Sequence, residues 1–496
     1  MISKKVFKYF YIFILATVSS ALSAQVTIGG ALEPSKGALL DLKEFESKDN
    51  NVNSTKGLML PRVDIQNINE LYPMFSNDAD YNNSTKPEFK DALKQSHIGL
   101  MVYNTNECLG KGLMVWNGTM WNFLTRIKSP LSQPNTYLLT SSPQTIRIPV
   151  EKAFAIWEYY GSEKGNNRLP SNIDLGGTLS AEIVWQEGAY GKSDVIIANP
   201  PTVTQGRNGE ITVVTTGNVG NAVIALKIGG NIRWSWHVWV SEGTVSGNKF
   251  PDGIGLGYIF MDRNLGATSA LPANAGAIGL HYQWGRKDPF PGYVNFNSVK
   301  SKVPIDFYYD IKDSPKENFQ KAIESPLSFI SYTQSDPNSS GDWYNKALNN
   351  QSTAQDVIDR WDDRWGSYDC DAKSPFDPCP EGWQVPKSKV EDNITISPWR
   401  NIKVVYPSDS QANKTHFNNN KGYNYGTEGG YWPGTWARFY NQVLAATDAL
   451  VGFYWSMELD KNVNYLPHDL QLNASSIAAS SSYPRSFGLA IRCVKE

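Results

Sequence analysis

Two cysteine-bearing tracts near the end of the chain constrain its fold most. One reads Asp377-Pro378-Cys379-Pro380-Glu381-Gly382-Trp383-Gln384-Val385-Pro386, and the other runs from Gly488 through Cys493 to Glu496. A cysteine three residues from the last position predicts a final strand tied into a core. The Pro- and Gly-dense first tract reads as the entry to that core. A Cys379–Cys493 crosslink would close a loop of more than a hundred residues, worth ~4–5 kcal/mol on the chain-entropy account. Cys370, nine positions before Cys379, offers a local Cys370–Cys379 alternative, and Cys108 lies in a different region. Four cysteines allow three connectivities, of which Cys379–Cys493 is the expected pair and Cys370–Cys379 its competitor. No pair has CxxC spacing and no histidine is close in sequence, so a zinc site is not expected.

The N-terminus explains why disulfides are admissible. Lys4, Lys5 and Lys8 precede an apolar run from Tyr9 to Val18, and small residues follow to Ala24. This is the pattern of a secretory signal, with Gln25 as the new terminus and cleavage after Ser23 as an alternative. The apolar run is shorter than the ~20 residues a membrane-spanning helix needs. No cysteine sits at the cleavage site, so a lipid anchor there is not expected. Loss of residues 1–24 moves the formal charge from −2 to −5. A mildly acidic chain without a basic stripe argues against nucleic acid as a partner.

Sixteen tryptophans, twenty-five tyrosines and forty glycines predict a mainly β, turn-rich protein. Residues 25–126 form a small N-terminal β module. Its runs are Val26-Thr27-Ile28-Gly29-Gly30, Ala38-Leu39-Leu40-Asp41-Leu42, Gly57 to Val63, Ile98 to Asn104 and Gly112 to Gly118, with Trp121-Asn122-Phe123 at its end. The Asn117-Gly118 step predicts a hairpin turn that sets Val115 and Trp121 on adjoining strands. The pattern resembles the N-terminal module of many exported Bacteroidetes proteins, which implies surface location rather than a specific activity.

Residues 127–245 predict a β-sandwich of the Ig-like kind. Strand-length runs fall at 145–150, 181–185, 194–197, 210–214 and 222–227, separated by turn signals. Ile232 to Val240 alternates most clearly. Ile232, Trp234, Trp236, Val238 and Val240 share one face, and Arg233, Ser235, His237 and Trp239 share the other. His237 has no acidic or cysteine partner in the sequence, so it reads as an outer-face residue rather than a ligand or a base.

Residues 246–496 form the largest unit. Its ordered motifs are Met261-Asp262-Arg263-Asn264-Leu265-Gly266-Ala267, Tyr282-Gln283-Trp284-Gly285-Arg286-Lys287-Asp288-Pro289-Phe290-Pro291-Gly292, the first cysteine tract, Pro433-Gly434 with Trp436 and Arg438, Gly452-Phe453-Tyr454-Trp455-Ser456, and Ile491 to Glu496. This series resembles the Fibrobacter succinogenes major paralogous domain and its Bacteroidetes relatives. The resemblance implies a C-type-lectin-like α+β domain with small sheets, short helices and long loops, and it assigns no activity. The calcium- and sugar-binding tripeptide of true C-type lectins is absent. Gln133-Pro134-Asn135 lies in the middle unit, so calcium-dependent lectin activity is not implied.

Chemistry-bearing constellations are few. There is no P-loop, no GxSxG elbow and no HExxH among the five histidines. Asp359, Asp362, Asp363, Asp369, Asp371 and Asp377 fall within nineteen residues. They read as a solvated acidic surface paired with Arg360 and Arg364. Asp362, Asp363, Asp369 and Asp371 are also weak calcium candidates, though without EF-hand spacing. As an acid/base pair the cluster would support glycoside hydrolysis. A short helix is expected near Ala354–Trp365.

Tyr423, Tyr425, Tyr431, Trp432 and Trp436 in the Gly-rich stretch 422–436 are the candidate ligand-binding residues, because aromatic faces in loops stack on sugar rings or apolar groups. The competing reading is that these rings fill the core beneath long loops. Trp284, Trp383 and Trp455 read as core. The expected function is an exported, cell-surface adhesion protein with no cofactor, recognising a glycan or protein ligand through the loops of residues 330–440. A secreted hydrolase and a structural subunit of a surface filament are the rivals.

Overall fold

The computed structural model describes residues 26–496 apart from 29–31, 34, 36–37, 47–51, 107–108, 127–128, 190–191, 293–300, 332–340, 345–372, 392–393, 440–441, 444–449 and 461–465. The chain is mainly β, with many short strands and few helices. It divides into two compact units, Met1–Arg126 and Ile127–Glu496.

In the first unit, β1 (Val26–Ile28) and β2 (Leu40–Leu42) pair in parallel. A four-stranded sheet follows from β3 (Arg62–Val63), β4 (Met101–Asn104), β5 (Gly112–Trp116) and β6 (Trp121–Arg126). The predicted hairpin is present, but its loop is four residues long. Trp116 pairs with Trp121, and the Asn117 side chain accepts from the backbone of Thr119 and Met120. Asn117 thereby does the turning, while Gly118 takes the positive φ of 101°. Trp116 and Trp121 meet edge to face in a small core with Ile65, Leu71, Tyr81, Val102 and Met114.

The second unit contains the predicted sandwich. One sheet runs β7 (Thr136–Thr140), β13 (Asn231–Ser241), β12 (Gly220–Ile228), β9 (Leu179–Gly188). The other runs β10 (Thr202–Val203), β11 (Glu210–Thr215), β8 (Gln144–Pro149). Residues 194–197 differ from expectation: they make only a bridge from Ile197 to Thr215. The helix Glu151–Tyr160 escapes the strand pattern because its apolar residues recur at helical spacing, and it buries Ala153, Phe154, Ile156, Trp157 and Tyr160.

Both faces of β13 are buried. The even-numbered face joins Ile148, Ile211, Val213 and Ile224 in the sandwich core. The odd-numbered face meets residues 263–288: Trp239 Nε1 donates to Ala267 O, Ser235 Oγ to Asp288, and Arg263 to Ser241 Oγ. His237 is therefore not on an outer face. It is 2% exposed, held by Asn221 Oδ1 at 2.9 Å and Thr136 Oγ1 at 3.3 Å. One core runs from the sandwich into residues 261–493.

Beyond the sandwich lie small sheets. Gly247–Lys249, Ile259–Met261, Val494–Lys495 and Trp383–Gln384 form one. Val451–Asp460, Leu466–Asn473 and Ile477–Ser482 form an antiparallel meander. Cys379 and Cys493 are bonded and both fully buried. Cys108 and Cys370 lie outside the described residues. Trp284 and Trp455 are core, whereas Trp383 is half-buried because its strand is at a sheet edge.

Candidate functional site

The motifs that stand out in the sequence converge on buried joints. Arg492 donates to Asn264 Oδ1 at 2.7 Å, Met261 O at 3.1 Å and Tyr431 O at 2.8 Å. It thus ties the 261–264 tract and Tyr431 to its own terminal tract, three in all. Lys373 donates to the carbonyls of Cys379, Pro380 and Trp383 at 2.6–2.8 Å, closing the cysteine tract on itself. Asp377 accepts from Cys379 N at 2.7 Å and Val385 N at 3.0 Å. Burial raises its pKa to about 6, against the pull of Lys373 and these backbone donors. Asp377 is a turn-former here. The other acidic-cluster residues, Asp359, Asp362, Asp363, Asp369 and Asp371, and the expected helix at 354–365 lie outside the described residues. Among the described residues no three His, Cys, Asp or Glu side chains cluster as metal ligands would.

Four of the five candidate aromatics are inside. Tyr423, Tyr431, Trp432 and Trp436 are 0%, 5%, 1% and 8% exposed. The hairpin of Gly422–Asn424 with Tyr431–Pro433 sets Tyr423 opposite Trp432, and both rings enter a core with Phe260, Phe417 and Tyr454. Their glycines serve that close packing: a Cβ on Gly429 would lie 2.2 Å from the Phe250 ring. As stacking surfaces these four rings are occupied by protein.

Tyr425 is the exception. It is half-buried and lines an open cleft of about 580 Å³. Phe250, Ile254, Ile402 and Tyr425 make the floor, and Asp252, Asn401, Lys403 and Glu428 stand exposed at the rim. Three loops build it, and each is pinned. Gly255 N donates to Arg400 O at 2.8 Å, Asn401 Nδ2 to Gly253 O at 2.9 Å, and Tyr425 OH to Lys403 O at 2.9 Å. The 425–430 loop also closes on itself, through Tyr425 N to Gly430 O at 2.9 Å. Burial pushes the Tyr425 phenol well above its ordinary pKa, so it stays neutral and offers its ring. Phe250 meets that ring edge-on with centroids 5.2 Å apart. A cleft of this size, with an apolar floor and a few polar groups, has the make-up of a small-ligand site.

The cleft uses two loops from the expected 330–440 stretch and one, 250–254, from outside it. Phe250, Ile254 and Ile402 escaped the sequence reading. The Pro251-Asp252-Gly253 turn was the available signal, because such a tripeptide exposes its middle residue.

His237, His281, Lys287 and Asp469 are buried in the interior. Burial lowers His237 and His281 to about 3, so both are neutral imidazoles at ordinary pH. Lys287 Nζ lies 2.6 Å from Asp288 and over the Trp234 ring at 4.3 Å, which makes it a buried joint between β13 and the 282–292 tract. Asp469 is fully buried, and neither carboxylate oxygen has a hydrogen-bond partner among the described residues.

Compared with known proteins, residues 27–137 match a family model described as a phage tail-like trimerisation region. The match covers well under half of the chain and speaks for that stretch alone. It is a likeness to an assembly region of a structural kind, and it points towards oligomerisation. No curated protein and no solved structure matches the chain.

Proposed function

We propose that this chain is a self-associating, exported surface protein that binds rather than catalyses. Residues 27–137 join three copies, and the 127–496 unit presents the cleft to a ligand. The observation that carries this reading is a coincidence within the matched stretch. Most of the exposed large apolar side chains among the described residues fall there. They include Leu39 (74%), Leu58 (68%), Met59 (82%), Ile98 (56%) and Leu124 (54%). Monomeric proteins rarely leave so much apolar surface to water, and association between copies covers it.

The resemblance of residues 250–496 to the Fibrobacter-type domain fits a presenting role. Its motif residues build the scaffold, through Arg492, Lys287 and the Cys379–Cys493 bond, and leave the loops to vary. The signal-like segment at residues 1–24 fits export.

The test is the mass of the mature chain, residues 25–496, by light scattering at micromolar concentration. Three copies are expected. Leu58→Asp with Met59→Asp should give a monomer with unchanged circular dichroism. A monomeric parent would overturn the assembly reading.

A further inference from the structure

We infer that the cleft walled by residues 250–254, 401–403 and 425–428 binds a neutral carbohydrate. The inference rests on the binding role proposed above and names its ligand class.

The argument is one of complementary chemistry. A pyranose ring has an apolar C–H face and a girdle of hydroxyls, each both donor and acceptor. The floor offers what the C–H face needs: the Tyr425 and Phe250 rings with Ile254 and Ile402 between the loops. Aromatic rings combine large apolar area with defined geometry for such contact. The rim offers what the hydroxyls need. Asp252 and Glu428 supply acceptor pairs, Lys403 supplies donors, and Asn401 has one amide oxygen left after its nitrogen engages Gly253 O. The rim carries charges of both signs, so a strongly charged ligand would always meet one like charge.

An apolar peptide side chain would use the floor and leave the polar rim unengaged. Lys249 stands 3.3 Å from Asp252 at the solvent edge. The loops are already pinned to one another by the backbone and side-chain bonds between residues 253–255 and 400–401 and between Tyr425 and Lys403. The ligand therefore need not order them, which lowers the cost of binding.

The test uses the mature chain, residues 25–496, and soluble neutral probes: cellohexaose, chitohexaose and mannohexaose, followed by calorimetry and a neutral-oligosaccharide array. One class should bind with one site per chain. Asp252→Asn and Glu428→Gln should each weaken it about tenfold, the scale expected for losing a charge-assisted hydrogen bond. Both residues are exposed, so melting temperature should hold and a loss of binding cannot be put down to unfolding. Tyr425→Phe keeps the ring but loses the bond to Lys403 O, so it should weaken binding without abolishing it.

Failure of every neutral probe overturns the inference, and so does binding that ignores both rim variants. A cleft that captures apolar peptides from a display library but no sugar also overturns it. A trimer that binds no sugar overturns this inference alone. A monomer whose sugar binding follows the rim variants overturns the assembly reading alone.

Discussion

The Arg492 guanidinium lies over the Trp432 indole, 4.6 Å from the ring centroid. Around it, Trp432 packs on Tyr454, Phe260 and Phe250, and its Nε1 donates to Gly429 O at 2.9 Å. Trp432 is thus the contact between the domain's central arginine and the floor of the cleft.

Trp432→Ala should cost about 3–5 kcal/mol, because it empties a fully buried aromatic site. Urea unfolding of the unit would read this as a lower midpoint. Any loss of ligand binding should follow from the loosened Phe250, so Trp432→Phe should restore much of both. A Trp432→Ala variant as stable as the parent would remove the indole from the core.

The joint between β13 and the 282–292 tract predicts strong non-additivity. Lys287→Ala leaves Asp288 buried beside Ser235 without its ammonium, at a cost of about 3–5 kcal/mol. Lys287→Met combined with Asp288→Leu should cost less than the sum of the two single changes. A double-mutant cycle in guanidinium checks the coupling, and additive values would deny it.

Asp469 should make stability fall as pH rises. Burial holds its folded pKa well above the carboxylate range, so the native state keeps a proton that the unfolded chain has released. Below the unfolded pKa of ~3.9 both states are protonated and nothing is lost. Above it, the native state is penalised until pH passes the folded pKa. Asp469→Asn should therefore be more stable than the parent at neutral pH, with the gain vanishing towards pH 4. A gain of equal size at both pH values would contradict this.

His237 acts in the opposite direction. Its folded pKa of about 3 lies below the unfolded value of ~6.5, so the unfolded chain takes up a proton that the native state refuses. The stability it contributes is full above the unfolded pKa and drains away as pH falls towards the folded one. His237→Asn should reduce the acid dependence of unfolding by about one proton. Stability measured between pH 7 and 4 gives the slope, and an unchanged slope would place the titration elsewhere.

Cys493→Ser should lower stability by about 2–5 kcal/mol, since it opens a bond spanning 114 residues. Mass mapping of the mature chain reads the Cys379–Cys493 peptide pair directly. Recovery of Cys379 joined to Cys370 instead would overturn the pairing.

Much of the architecture is legible because period-two alternation and turn chemistry are local. The strands around 145–150, 210–214 and 232–240 follow from them, and so does the Asn117–Gly118 hairpin. Local rules cannot show what covers a strand. His237 reads as outward from alternation alone, yet residues 263–288 cover that face, and only the tertiary fold supplies them. The aromatic stretch misleads for the same reason. Tyr423 and Trp432 have the composition of a binding loop, but hairpin pairing turns them inward and leaves Tyr425 at the edge. The cleft joins positions about 150 residues apart, Gly253 and Asn401, through one hydrogen bond that no spacing announces.

Residues 491–494 lie at the centre of the second unit, with Val494 paired to both Phe260 and Gln384 and fully enclosed. The order of synthesis then matters. A growing chain that has reached the meander at 451–482 still lacks the strand between Ile259–Met261 and Trp383–Gln384, and the arginine that joins three tracts. Completion of this unit therefore waits on residues 491–494. Until then Phe260, which packs with Val494, lacks its strand partner, and such transiently exposed apolar surface is a natural client for a holding chaperone.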